Sequence, residues 1–332
     1  MKPLVHATGC RLAAWTRKEA IPVPEARGFT GSPTVRRREL GALLRALRTE
    51  RGLTVDQVAA ELLCSPSKVS RMETGQRGAT ARDIRDLCQI YGVTDPGQRG
   101  RLTRLAAEGK RQGWWQGYDL DYFATYVGLE EEATALSYYQ SSVVPGLLQT
   151  PSYARAIHES FVPPLSPERI DQLIEVRLTR QKLLARTPPL RLSVILDEAA
   201  LHRQVGGPAV MKEQLERLTG LATWPNVTIR VIPFTAGAHA ALESTFNILD
   251  FEDPAPSLVY VEGLIGFMYL ERPQDLARYR GVFDQLHAKA LTPQGSVELV
   301  SVTGAKYGEI AHAAGLGQSD TDNLSRVNGV DK

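Results

Sequence analysis

Apolar residues repeat with helical spacing on either side of a short polar segment early in the chain. Val58, Ala59 and Leu62 fall on one face of a helix, and Val69 and Met72 fall on one face of a second helix. The segment between the two faces is too short for a further element, so the chain must turn there. The pattern therefore predicts two short helices joined by a tight turn.

The residues at the ends of these helices support the same assignment. Thr54 and Ser65 have side-chain oxygens suited to capping free N–H groups, and Pro66 suits the first helical position. Gly75 can adopt the left-handed conformation that ends many helices. The outer face of the second helix is polar and basic, with Ser67, Lys68, Ser70 and Arg71. This is a helix-turn-helix arrangement, in which the second helix enters the DNA major groove.

Helical periodicity continues on both sides of the pair. An arginine run at 36–38 opens a helix, and two more helices begin after Thr80 and at Pro96. The run is open to two interpretations, a solvated helix end or a contact with the phosphate backbone. We predict a flexible, proline-containing leader over residues 1–33 and an all-α five-helix domain over residues 34–111.

The hydrophobic pattern changes in the second half of the chain. Leu129, Ala133 and Leu136 are spaced as on a helix. A long helix from Pro167 carries Arg177, Arg180 and Lys182, which form a solvated face or, as an alternative, a face for a partner. Short apolar runs bounded by Asp, Pro and Gly predict several strands. We therefore predict a mixed α+β (or α/β) domain over residues 112–300, followed by a polar tail over residues 301–332.

Charge divides the chain in the same way. The net charge is +2, but residues 34–111 contain 16 Lys and Arg against 9 Asp and Glu, whereas residues 112–332 contain 18 against 26. A basic module beside an acidic one indicates that the first attracts phosphate. The three cysteines show no metal-ligand spacing, which fits a reducing cytoplasm, and no apolar run suggests a membrane span.

The segment LTVDQVAAELLCSPSKVSRMETG resembles the xenobiotic-response-element (XRE) class of helix-turn-helix proteins, which includes the phage repressors. The resemblance implies that Arg48 and Glu73 form a partly buried ion pair. Val55 departs from the pattern, because many phage repressors have a polar phosphate contact there. The implied DNA-binding residues, in the helix and in the loop after it, are Ser65, Pro66, Ser67, Lys68, Arg71 and Arg77.

Segments such as VPGLLQTPSYARA, LDEAALHRQVGG and WPNVTIRVIP resemble the C-terminal domain of actinobacterial WhiJ-like, antitoxin-like regulators. The resemblance implies a DNA-binding regulator that is often paired with a small partner protein encoded nearby.

No catalytic motif stands out in the sequence. It lacks the nucleophile elbow, the HExxH zinc motif, the phosphate-binding loop and paired CxxC motifs, so we expect no enzyme activity, no metal and no cofactor. One polar constellation follows predicted strand ends, where it either binds a metal or a small ligand, or caps helices and bonds loop backbone. Its members are Asp197, Glu198, His202, His239 and Glu262.

These observations predict a cytoplasmic, nucleoid-associated transcriptional regulator that binds operator DNA as a homodimer. Its C-terminal domain is expected to bind a small partner protein or a ligand. Two alternatives remain open: an antitoxin-like partner-binding protein with secondary autoregulatory DNA binding, and a small-ligand sensor.

Overall fold

A computed structural model describes residues 33–327 of the chain, except residues 112, 121–122, 253–254 and 264–265. The predicted leader lies outside the described residues apart from Pro33, which is buried in the first helix instead. Among the described residues, no helix is both long and apolar enough to cross a membrane.

The N-terminal part is helical, as predicted. The caps are those expected from the sequence: Thr54, Ser65, Thr80 and Asp95 each accept a hydrogen bond from a backbone N–H three residues ahead. Each of these side chains satisfies an N–H group that has no partner inside its helix. The helices within the described residues before residue 111 are α1 Pro33–Glu50, α2 Val55–Glu61, α3 Pro66–Glu73, α4 Ala81–Ile90 and α5 Pro96–Glu108.

Helix α1 approaches helix α3 closely enough to require a glycine. A Cβ atom built on Gly41 would lie 2.5 Å from the carbonyl oxygen of Glu73 and 2.6 Å from that of Met72. Around this contact, Leu44 and Val69 belong to the buried core of the helical domain. The absence of a side chain at Gly41 therefore sets the distance between the first helix and the second helix of the helix-turn-helix pair.

We expect Gly41→Ala to lower the free energy of unfolding by about 1–3 kcal/mol, because the added methyl group overpacks the contact. Gly100→Ala is the matched control, since Gly100 also lies within a helix but has open space around its Cβ position. In the control variant the free energy of unfolding should rise by roughly 0.5–1 kcal/mol, because alanine loses less conformational entropy than glycine when the helix forms. Urea unfolding followed by circular dichroism measures both changes, and equal shifts in the two variants would contradict the close approach.

The C-terminal part is built on a mixed sheet, which confirms the predicted α+β class. The strand order in the described part is β3-β2-β1-β4-β5-β6; β1 to β3 are mutually parallel, and β4 to β6 add antiparallel neighbours. The elements are α6 Phe123–Glu132, β1 Ala135–Gln140, α7 Pro151–Glu159, α8 Pro167–Gln181, β2 Arg191–Asp197, α9 Ala199–His202, α10 Pro208–Leu221, β3 Val227–Ile232, β4 Phe246–Asp250, β5 Leu258–Gly263, β6 Gly266–Leu270, α11 Pro273–Lys289 and α12 Pro293–Val327.

The two faces of the sheet contact different helices. Because side chains alternate along a strand, Tyr138 and Tyr139 of β1 point to opposite faces. Tyr138 lies in the larger core with residues of α6, α10 and α12. Tyr139 lies in a smaller core in which Leu286 of α11 is fully buried. Burial on both faces explains why β2 contains the consecutive apolar residues Val194, Ile195 and Leu196.

The prediction that Leu136 lies on a helix was wrong. Helix α6 ends at Glu132, and Thr134 already donates its backbone N–H to the carbonyl oxygen of Asp250 in β4. Leu136 then sits within strand β1, paired with Leu192 and Leu249. A helix and a strand follow one another with only two residues between them, so their apolar positions merge into one apparent helical pattern.

The polar tail predicted from residue 301 was also wrong, because α12 continues to Val327. Val300 and Tyr307 are buried, and a Cβ atom built on Gly304 would lie 3.4 Å from the Cβ of Leu215 in α10. Glycine and small polar residues here serve close helix packing. The hydroxyl group of Tyr307 also donates to the carbonyl oxygen of His202 at 2.9 Å.

The first turns of α1 pack against the C-terminal part. Val35 belongs to the core that surrounds the sheet, and the Arg38 guanidinium, only 12% exposed, lies 2.9 Å from the carboxylate of Glu271. A Cβ atom built on Gly128 of α6 would lie 2.3 Å from the hydroxyl oxygen of Thr34. The interpretation of the run as a solvated helix end was therefore wrong at Arg38, which lies at the junction between the two parts. The alternative, a contact with the phosphate backbone, stays a prediction.

Candidate nucleic-acid interface

The turn between α2 and α3 depends on one residue in the left-handed region. Leu63 has φ +50° and is 91% exposed, so its side chain contributes little packing. The next residue, Cys64, donates its N–H to the carbonyl oxygen of Ala59 at 2.9 Å and thereby closes the turn. Gly75, at φ +72°, ends α3 as the sequence predicted. The left-handed residues Leu63 and Gly75 turn the chain before and after α3, which therefore lies at the surface of the domain.

Five of the six predicted DNA-binding residues form one exposed surface. Val69 and Met72 are buried, so the opposite side of α3 faces solvent. The Nε of Arg71 donates to the carbonyl oxygen of Ser67 at 3.3 Å, and the backbone N–H of the loop residue Arg77 donates to the carbonyl oxygen of Arg71. The exposed residues are Ser65, Pro66, Ser67, Arg71 and Arg77.

Lys68 differs from the other five because it forms an ion pair. Its ammonium nitrogen lies 2.6 Å from a carboxylate oxygen of Asp83, which also accepts the backbone N–H of Thr80. Lys68 is therefore half-buried and fixes α3 to the start of α4. Burial opposes the charged form of Asp83, but hydrogen bonds from Lys68 and Thr80 outweigh that effect and hold the pKa of Asp83 below its usual value.

Because its folded pKa is lowered, ionised Asp83 stabilises the fold at pH values above the carboxyl's ordinary pKa, and this contribution is lost as the pH falls through the lower folded pKa. In Lys68→Ala the folded pKa of Asp83 should rise toward its unfolded value, so the loss of stability on acidification should be smaller and should end at a higher pH. A carboxyl-carbon NMR titration measures this pKa directly. Arg85→Ala, which removes an exposed partner of Asp86 instead, should leave it unchanged. An unaltered pKa in Lys68→Ala would refute the ion pair.

A second ion pair, expected from the family resemblance, joins α1 to α3. The Nε and Nη2 of Arg48 donate to the two carboxylate oxygens of Glu73 at 2.6 and 2.9 Å. The remaining Nη1 donates to the carbonyl oxygen of Leu53 at 2.8 Å. This bidentate geometry fixes both the distance and the angle between the two helices. The predicted Arg48–Glu73 pair is confirmed.

The candidate ligand-binding residues are only partly brought together. A ring nitrogen of His239 lies 3.4 Å from Asp197, and a ring nitrogen of His202 lies 3.2 Å from Glu198. The carboxylates also accept backbone hydrogen bonds, from the N–H groups of Ala199 and Phe234. These contacts favour the interpretation in which the polar residues hold loops and helix starts.

Glu262 does not join this group. It lies on β5, which is separated from β2 by β1 and β4. Because side chains alternate, Glu262 shares the face of Tyr260 and the larger core, whereas Asp197 shares the face of Ile195 and the smaller core. Within the described ranges, no group of three or more His, Cys, Asp or Glu residues is placed to hold a metal ion.

A buried polar network that the sequence analysis missed lies on that larger-core face. Glu130 of α6 is fully buried and accepts hydrogen bonds from Nε and Nη2 of Arg180 at 2.6 and 2.8 Å. It also accepts the hydroxyl of Tyr138 at 3.0 Å, which in turn contacts the hydroxyl of Tyr126. Burial raises the pKa of both tyrosines well above the ordinary value, so both stay protonated. The solvated face predicted for the basic cluster of α8 was therefore wrong at Arg180.

Next to this network lies a cavity of about 740 Å³. It is enclosed by α6, α8, the segment after β1 and the loop between α7 and α8. Its polar lining includes Tyr138, Gln149, His158, Arg177, Arg180 and Glu262. One feature of the sequence could have indicated this cavity wall. The spacing of Arg177 and Arg180 places both residues on the same side of α8 as the buried Ile174.

Replacing Glu130 by glutamine removes the only negative charge that directly contacts Arg180 in the described part of the chain. We expect Glu130→Gln to lower the free energy of unfolding by about 3–5 kcal/mol, because it leaves a buried arginine without its charge partner. Glu159→Gln, at an exposed helix end, should change stability by less than about 0.5 kcal/mol. Urea unfolding compares the two, and similar small effects would contradict the buried pair.

Comparison with protein families divides the chain at the same place as the fold. Residues 39–102 match the family described as a helix-turn-helix domain, which confirms the predicted arrangement. Residues 123–301 match the family described as a domain of unknown function (DUF5753). The chain belongs to this DUF5753 family. No curated protein and no solved structure matches the chain in the corresponding comparisons.

Proposed function

We propose that this protein is a sequence-specific DNA-binding transcriptional regulator of the XRE class, with α3 as its recognition helix. The observation that carries the proposal is the exposed polar and basic face of α3, opposite the buried Val69 and Met72, within a matched helix-turn-helix domain. A helix presented in this way enters the major groove, where side chains reach base edges.

The residues of this surface take different roles in the proposal. Arg71 is exposed and makes no ion pair in the described part of the chain, so it is free to bond the two acceptors of a guanine. Ser65, Ser67 and Arg77 contact the sugar–phosphate backbone and set the register. Lys68, already bonded to Asp83 through one of its N–H donors, holds α3 in place and adds positive charge near the phosphates.

One recognition helix covers only half of a typical operator, so we propose that the protein binds DNA as a homodimer, associated with the nucleoid in the cytoplasm. The C-terminal domain, which resembles that of actinobacterial WhiJ-like, antitoxin-like regulators, is proposed to bind a small partner protein or a ligand. Its packing against α1 supports this role, because α1 also contacts the recognition helix.

The test is fluorescence-anisotropy binding to the DNA upstream of the protein's own coding sequence, beside a shuffled fragment, at two salt concentrations. Arg71→Ala should reduce the preference for the specific fragment by ~10-fold or more, since one bidentate arginine–guanine contact contributes about 1–3 kcal/mol of discrimination. Arg104→Ala removes an equal charge from the exposed face of α5 and should keep the preference. Sedimentation of the complex measures the number of chains per site.

Two results would count against the proposal. If the wild-type protein binds both fragments equally at both salt concentrations, partner binding becomes the primary role and DNA contact a secondary one. If Arg71→Ala keeps the full preference, Arg71 does not read a base.

A further inference from the structure

The cavity beside the Glu130–Arg180 pair has the size and the lining of a small-molecule site. Its volume of about 740 Å³ lies within the range of ligand pockets. Its polar groups converge from α7, α8, β1, β4, β5 and the segment after β1, and apolar side chains form much of the remaining wall. The apolar lining includes Phe123, Val143, Ile157, Phe161, Leu165 and Leu173.

The charges in the wall favour an anion. Among the described lining residues, the charged side chains are Arg169, Arg177, Arg180 and one carboxylate, Glu262. Arg180 is already neutralised by Glu130, which accepts two of its hydrogen bonds. One half-buried arginine, Arg177, therefore remains without a directly bonded counter-charge.

Arg177 is the side chain whose missing charge partner a ligand would supply. Within the described part of the chain, its Nη1 donates to the neutral amide oxygen of Gln149, its Nε has no partner, and no carboxylate lies within ion-pair distance. Burial and the neighbouring charge of Arg180 lower the pKa of Arg177 to about 10, so it is still cationic at neutral pH. A cation held in this way favours an anionic partner, since a charge-assisted hydrogen bond is shorter and stronger than a neutral one.

His158 offers a second unused polar group in the same wall. Burial, together with the charges of Arg177 and Arg169, lowers its pKa to about 4, so the ring is neutral at physiological pH. Neither ring nitrogen has a hydrogen-bond partner among the described residues. A neutral imidazole with both nitrogens unused is suited to bond a hydroxyl or carbonyl group of a ligand.

The rim of the cavity is apolar and exposed. Phe161 and Val162, in the loop between α7 and α8, are 45% and 94% exposed, although both line the cavity. The ring of Phe161 meets that of His158 edge-on, with 5.2 Å between the ring centroids. Exposed apolar side chains at the mouth of a cavity lose unfavourable hydration when an apolar ligand group covers them.

We propose that this cavity binds a small monocarboxylic acid, with its carboxylate on Arg177 and its apolar body against the side chains of Phe123, Val143 and Phe161. A monoanion fits better than a phosphate dianion, because one arginine lacks a counter-charge and Glu262 lies in the same wall. The site differs from the constellation at Asp197, which lies on the opposite face of the sheet.

The proposal deepens the proposed function, because it names the ligand class of the C-terminal domain, and its regulatory meaning rests on that function. Binding itself is tested without DNA. Isothermal titration of the full-length chain uses octanoate and 3-phenylpropanoate as probes, each beside its neutral amide. We expect saturable binding of at least one acid, with the matching amide ~10-fold weaker or more because it lacks the charge-assisted bond to Arg177.

Arg177→Gln should weaken binding of the acid ~10-fold or more and leave the affinity for the amide unchanged. Lys182→Gln, which removes a charge just after the end of α8 without altering the cavity lining, should bind both probes as the wild type does. Arg71→Ala should also bind the acid normally, so that loss of DNA recognition and loss of ligand binding can be told apart.

Three results would overturn the proposal: no saturable binding of either acid, equal affinities for acid and amide, or full acid binding by Arg177→Gln. If Arg177→Gln does not fold, the comparison of acid and amide on the wild-type chain still decides the question, because it requires no variant.

Discussion

The close packing of α1 against two other helices is the contact on which both parts of the molecule depend. At Gly41, α1 meets α3 so tightly that a methyl group would overlap the carbonyl oxygens of Met72 and Glu73. Two turns earlier, Thr34 of α1 meets Gly128 of α6 with similar tightness. One rigid helix therefore contacts the candidate recognition helix at one point and the C-terminal domain at the other. The position of α3 relative to the sheet follows from these two contacts, because packed helices do not adjust continuously.

Two bidentate arginine–glutamate pairs fix the relative orientation of the packed helices. Arg48 and Glu73 fix α3 on α1, and Arg180 and Glu130 fix α8 on α6. Hydrophobic contact alone is non-directional, whereas a planar guanidinium with two aligned bonds allows one orientation. A buried pair of this kind is weak evidence of added stability, because desolvation offsets much of the attraction. What the pairs supply here is a fixed geometry, one at the recognition helix and one beside the cavity.

The sequence pattern predicts features that arise within a few residues of chain and misses most contacts between distant residues; the Arg48–Glu73 pair is an exception, because the family resemblance implied it. Caps at Thr54 and Ser65, the reversal at Gly75 and the exposed face of α3 arise within a few residues of chain, and each was recognised. The Lys68–Asp83 pair was not, because it joins two helices across a loop. Burial of Arg180 was missed for the same reason: its partner Glu130 lies 50 residues away, and an isolated arginine on a helix resembles a solvated one. Strand β1 and the continuation of α12 were missed because the burial of their small, aromatic and glycine residues depends on distant elements. Only the strands beside β1 and the helix beside α12 show that these residues are packed.

A ligand in the cavity can alter DNA binding only if it has different affinities for two arrangements of the protein. The wall of the cavity includes Arg180, whose partner Glu130 lies on α6, and α6 is the helix that meets α1 at Gly128. A carboxylate bound at Arg177 would place a second negative charge near the Glu130–Arg180 pair, and its repulsion of Glu130 would favour one position of α6 over another. Because α6 and α1 are closely packed at Gly128, a shift of α6 would displace α1 as a rigid helix. In a dimer, moving α1 changes the separation of the two recognition helices, which is the quantity that the spacing of the operator half-sites selects.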